Sequence, residues 1–125
     1  YTCRRSTILK LAYILLFSLI LSFKGFKSYS NDENILSSKV LKNSLKKWGI
    51  DYDNLADNKA GAACIPNNIK NIHYFEALGF SHQMFSIKMA EKIALSGCSE
   101  MKKKEILSNC SCEVIIVNNK IKGGK

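Results

Sequence analysis

The sequence predicts an α+β fold: a small disulfide-stapled domain in which an N-terminal helix and a short antiparallel sheet pack with a second helix. Three observations predict it. Two stretches, "NDENILSSKVLKNSLKKWG" and "SIKMAEKIALSGC", carry apolar residues at helical spacing between start and stop signals. Three shorter runs, "GAACI", "IHYFEALGF" and "CEVIIV", are small, aromatic or β-branched and are bounded by turn residues. Four cysteines, Cys64, Cys98, Cys110 and Cys112, lie in or beside these runs.

The first thirty residues read as a leader. "YTCRRSTILK" holds Arg4, Arg5 and Lys10 without an acid, and Leu11 to Phe23 is apolar apart from two serines. A charged segment ahead of an apolar one is the pattern of an export signal. The apolar run is shorter than the ~18 residues of a membrane span. Ser28 and Ser30 flank Tyr29 as a small-x-small cleavage signal, so the expected cut follows Ser30 and the expected location is periplasmic or secreted. The alternative is an uncleaved segment extended back to Ile8 that anchors the chain to a membrane. Lipidation is not expected, because Cys3 lies upstream of the apolar run.

Charge narrows the partners. The chain has 19 Lys and Arg against 10 Asp and Glu, a net +9, but Arg4, Arg5, Lys10, Lys24 and Lys27 belong to the leader; the remainder sets 14 against 10, or +4. Those charges are dispersed except at Lys102, Lys103 and Lys104, which read as a solvated loop. No basic stripe is interleaved with aromatics, so no nucleic-acid partner is expected.

Residues 31–59 form the first helix and a polar linker. Asn31 or Asp32 caps a helix from about Glu33 to Trp48, with Lys46 and Lys47 in its last turn and Gly49 beyond. Ile35, Leu36, Val40, Leu41, Leu45 and Trp48 make its apolar face. In the linker, Asp51, Asp53 and Asp57 suggest a calcium loop, but Leu55 occupies a ligand position and the loop glycine is missing.

Residues 60–122 are the expected strand-helix-strand core. "GAACI" is a short strand stopped at Pro66, and Ile72 to Phe80 is a second. Ser86 caps a helix that ends at Gly97, with Ile87, Met89, Ala90, Ile93, Ala94 and Leu95 facing inward. Met84, Phe85 and Met89 read as core. Cys112 to Val117 is the clearest strand, closed by the Asn118-Asn119 turn, and "KIKGGK" returns briefly before fraying at Gly123 and Gly124.

An even cysteine count in an exported segment of about 95 residues indicates two disulfides. Joining Cys110 to Cys112 would strain the backbone, so Cys98 pairs with one and Cys64 with the other. A Cys98–Cys110 bridge would stabilise by about 3 kcal/mol.

Candidate chemistry is sparse. Gly79-x-Ser81, followed by His82, has the outline of a nucleophile elbow, but Gln83 replaces the second glycine and no histidine follows later in the chain. On a strand the neighbours Ser81 and His82 point to opposite faces and cannot pair, so Ser81 to Phe85 reads as the turn that feeds the helix capped by Ser86. Cys110 and Cys112 with His73 and His82 are an alternative copper or zinc set, opposed by the absence of two-residue cysteine spacing. His73 reads as a structural histidine within a strand. No cofactor is expected.

The order strand, capped helix, cysteine, strand resembles a family of small exported bacterial domains of unknown function. The shared residues are Ala77, Gly79 and Ser81, then Ser86, Ala90, Ala94, Leu95 and Cys98, and Cys112 ahead of "VIIVNN". The likeness covers roughly residues 72–121. Phe75 or Leu78 stands where an aromatic such as tryptophan is usual, and Cys110 is an additional cysteine. The resemblance implies a disulfide-bonded α+β fold and no known activity. Because no catalytic constellation survives in the sequence, the expected role is a non-enzymatic binding or envelope-associated protein, its partner an envelope component or another protein. Metal handling and a small hydrolase at Ser81 are the alternatives.

Overall fold

A computed structural model describes residues 31–122; the expected leader, its cleavage site or anchor, and the glycines of the tail lie outside the described residues. Helix α1 spans Asn31–Lys47, and a 3-10 turn spans Tyr52–Asn54. Strands β1 (Ala60–Pro66) and β2 (Leu78–Ser81), helix α2 (Ile87–Lys104), and strands β3 (Cys110–Val117) and β4 (Lys120–Ile121) follow. The sheet is antiparallel in the order β2-β1-β3-β4, with one helix on each face. This is the predicted α+β fold.

Alternation along β1 separates two cores. Ala60, Ala62 and Cys64 face α2, where Ala90, Ala94 and Cys98 meet them. Ala63 faces the other way, toward Val40, Leu41 and Leu45 of α1. Small residues on β1 let both helices come close. Leu41 of α1 lies on the bare backbone of Gly61, where an added Cβ would sit 2.5 Å from Leu41 Cδ2. At a bulge between Gly61 and Ala62, Ile115 becomes the extra residue of β3, so Ile115 and Ile116 both join the α1 core.

Several sequence boundaries are corrected by this packing. The second strand begins at Leu78, not Ile72, because residues 67–77 form an irregular excursion held by side chains. Ser44 ties it down: its hydroxyl donates to the Val40 carbonyl at 2.7 Å and accepts from the Phe75 N–H at 3.0 Å. Ser81 closes β2 and is not yet turn. Helix α2 runs through Gly97 to Lys104, so the lysine triplet is its last turn, where cations complement the helix dipole. The cap at Ser86 is as expected, its Oγ accepting from the Met89 N–H at 3.1 Å. Ile35, Trp48, Ile87, Met89 and Ile93 are exposed, and Phe85, expected in the core, is 95% exposed. On its sheet side α2 buries Ala90, Ala94 and Cys98, with Leu95 and Met101 packed at the margin.

Both helices end in the same motif. At the end of α1 the Gly49 N–H donates to Lys46 O and the Ile50 N–H to Leu45 O, with Gly49 at φ 77°. At the end of α2 the Ile106 N–H donates to Lys103 O and the Leu107 N–H to Lys102 O, with Ile106 at φ 54°. These are Schellman caps, and only the first places glycine at the left-handed position.

Disulfides join Cys64 to Cys110 and Cys98 to Cys112. Taken singly, bridges across 46 and 14 residues stabilise by about 4 and about 3 kcal/mol. The two loops overlap in sequence, which makes their sum an upper bound.

Candidate functional site

Gly79 and Ser81 both dock α2 on the sheet. The α2 backbone passes directly over Gly79: a Cβ there would lie 2.1 Å from Ala94 O and 2.5 Å from Cys98 N. Two residues on, the Ser81 hydroxyl donates to Ala90 O at 2.6 Å and is buried. His82 turns to the other face, its ring stacked on Phe80 at 6.4 Å between centroids. The hydroxyl that a hydrolase would need is thus shielded from solvent and bonded to a main-chain carbonyl, with no histidine as partner. The glycine-x-serine pair is a helix-docking device.

The cysteines gather on one face. Cys64, Cys98, Cys110 and Cys112 all meet on the α2 side of the sheet, and every sulfur is taken by a disulfide. A bridged sulfur is not a thiolate and offers no metal ligand of that kind. His73 lies in the irregular segment, not in a strand, and both it and His82 are exposed. Among the described residues no group of three or more His, Cys, Asp or Glu is disposed to hold a metal ion.

The structure reveals a cleft of about 360 Å³ between residues 67–77 and residues 105–109. Its walls include the Cys64–Cys110 bridge, Ile72, Tyr74, Phe75 and Leu107, and Glu76 is the one charged residue lining it. Both lips are fixed. Ser44 holds Phe75, the disulfide holds Cys110, and Lys47 Nζ sits 3.3 Å from the Tyr74 ring centroid. Ile106 stands on the rim, 89% exposed and in the left-handed conformation that a β-branched side chain disfavours. Neither Ile106 nor Tyr74 announces itself in the sequence, since Ile106 reads as one apolar residue of a polar loop and Tyr74 as one aromatic of the expected strand. A helix end lacking the usual glycine was the available signal.

A second unforeseen residue is Lys59, buried to 1% exposure at the foot of β1. Its ammonium donates to Tyr52 O, Asp53 O and Leu55 O at 2.9, 3.1 and 2.9 Å, closing the 3-10 turn around a cation. The buried Tyr52 hydroxyl is the one buried side-chain polar atom without a partner among the described residues. Burial pushes the Tyr52 phenol well above its usual value, and the neighbouring Asp53 charge adds to this. The Asp53 carboxyl is lowered, chiefly by its hydrogen bond from Lys42 at 2.9 Å. This region is structural: it fixes the linker that joins α1 to the sheet.

No protein-family model, no curated protein and no solved structure matches the chain.

Proposed function

We propose that the chain is an exported, non-enzymatic binding module of a bacterial envelope, periplasmic or secreted, whose ligand seats in the cleft bordered by Tyr74, Phe75 and Ile106. The observation that carries this reading is the strained, solvent-exposed Ile106 on the rim of a cleft whose lips are held by a disulfide and by the Ser44–Phe75 hydrogen bond. A left-handed isoleucine costs about 1–3 kcal/mol, and such strain clusters at ligand-binding positions. Glycine would cap the helix without that cost, so the side chain is explained by what it presents. Fixed lips reduce the ordering cost of binding. The cleft is apolar with few charges, as small-ligand sites are. Export is supported by the two disulfides, which persist in oxidising compartments, and by the resemblance to small exported domains.

Two measurements test the reading. Intact mass of the protein recovered from cells, before and after reduction and thiol alkylation, is expected to show a start at Asn31 and no alkylatable thiol before reduction. A retained leader would replace export with anchoring, and free thiols at Cys110 and Cys112 would restore the metal reading. Amide spectra of the oxidised protein titrated with apolar and aromatic fragments are expected to shift at residues 72–76 and 105–110. Fragments that move no amide there would overturn the binding site.

A further inference from the structure

Helix α2 carries more apolar surface than its packing uses. It buries Ala90, Ala94 and Cys98, and its Gly97 lies against Gly79 of β2. At 3.6 residues per turn, Met89 and Ile93 stand on the flank that overhangs the outer edge of β2, and Phe85 continues that row beyond the helix start. Their exposures are 41%, 44% and 95%. β2 is an edge strand, so the sheet offers this flank no further cover.

The charges on these two turns of α2 that have no ion-pair partner among the described residues are both positive. Lys88 and Lys92 are exposed on the outward side of the same two turns. Glu91, the one carboxylate among those turns, is engaged by Lys122 at 2.9 Å. A protruding aromatic, two further apolar side chains and adjacent ammonium groups are the components of an interfacial membrane contact. A second copy docked symmetrically here would bring Lys88 and Lys92 against their own counterparts, which like-charge repulsion opposes.

We propose that this face of α2 seats on an anionic lipid bilayer. Phe85, Met89 and Ile93 enter the boundary between headgroups and acyl chains, and Lys88 and Lys92 meet the lipid phosphates. Burying one phenyl group gives about tenfold or more in partitioning, and each lysine near an anionic surface about fivefold. The contact is therefore weak and peripheral, and it leaves the cleft at the other end of α2 open.

The test places the chain's one tryptophan at the contact, with Trp48→Phe and Phe85→Trp in the full chain. Because the apolar N-terminal run can enter lipid by itself, the readout is local to position 85. With vesicles of phosphatidylglycerol in phosphatidylcholine, emission is expected to move to shorter wavelength and to be quenched by brominated acyl chains. Phosphatidylcholine alone is expected to leave it unchanged. Adding Lys88→Gln and Lys92→Gln is expected to lower the seating equilibrium by about 25-fold, two charges at about fivefold each. The proposal is overturned if the chain sediments with anionic vesicles while the reporter keeps its emission in water. It is equally overturned if the shift grows with protein concentration in the absence of lipid, since a second copy would then cover the face.

Discussion

Replacing Gly79 by alanine tests how α2 is docked. The new Cβ would lie 2.1 Å from Ala94 O and 2.5 Å from Cys98 N, both main-chain atoms of one helix. Neither can rotate away, so α2 must retreat by roughly 1 Å to regain ordinary contact. That retreat stretches the 2.6 Å hydrogen bond from Ser81 to Ala90 O and works against the Cys98–Cys112 bridge. Overpacking against backbone costs about 3 kcal/mol at the upper end of its usual range. The lost hydrogen bond adds about 1 kcal/mol, and the stiffer unfolded chain returns about 0.5–1 kcal/mol. The net loss is about 3 kcal/mol, a large part of a small domain's stability. Gly61→Ala is the internal comparison. There the 2.5 Å contact is with Leu41 Cδ2, the far end of a flexible side chain, so about 1 kcal/mol is expected. Urea unfolding of the oxidised proteins, followed by circular dichroism, measures both. If Gly79→Ala cost no more than Gly61→Ala, the close docking of helix backbone on β2 would be refuted.

Ile106→Gly is expected to raise stability by about 1 kcal/mol, since it releases left-handed strain and forfeits little packing; the same variant should weaken fragment binding in the cleft, and an unchanged titration would detach Ile106 from the site. Tyr52→Phe is expected to be neutral or slightly stabilising, because its hydroxyl has no partner to lose. The folded phenol lies above the unfolded value of 10.0, so its contribution is full below pH 10 and is lost as the pH rises beyond it. Thermal melts between pH 8 and pH 11 should therefore decline less steeply in Tyr52→Phe than in the native chain, and parallel declines would contradict the assignment. Lys59→Met leaves three carbonyls without their donor and is expected to cost about 3–5 kcal/mol, read as a lowered urea midpoint; a loss under 1 kcal/mol would show that the carbonyls find other donors.

Local chemistry was legible where one residue decides a local outcome. The Ser86 cap, the stop at Gly49, the strand through "VIIV" and the Asn118-Asn119 turn each follow from side-chain chemistry within a few neighbours. The α+β class follows from their order. The cysteine count indicated two bridges, but their pairing is a tertiary outcome. Cys64 lies directly across from Cys112 in the sheet, yet it bonds Cys110, because Cys98 on α2 takes Cys112. Spacing cannot reveal which partner a helix will claim.

The same reason explains the misplaced boundaries and the missed cleft. Gly97 looked like a helix stop and Ser81 like the start of a turn, whereas packing sets Gly97 against Gly79 and keeps Ser81 in β2. Aromatic content made Ile72 to Phe80 look like one strand, whereas Ser44, distant in sequence, holds Phe75 in an irregular lip. The cleft exists because a disulfide and a hydrogen bond between remote residues set two loops facing each other, and the exposed row from Phe85 to Ile93 exists because the sheet ends at β2. The sequence by itself determined the Ser86 cap, the stop at Gly49, the Asn118-Asn119 turn, the number of bridges and the fold class, which rest on residue chemistry and on the order of local elements. Only the tertiary structure decided which cysteines join, which apolar residues stay outside, and where a cleft forms, because each depends on surfaces that meet only after the chain has closed.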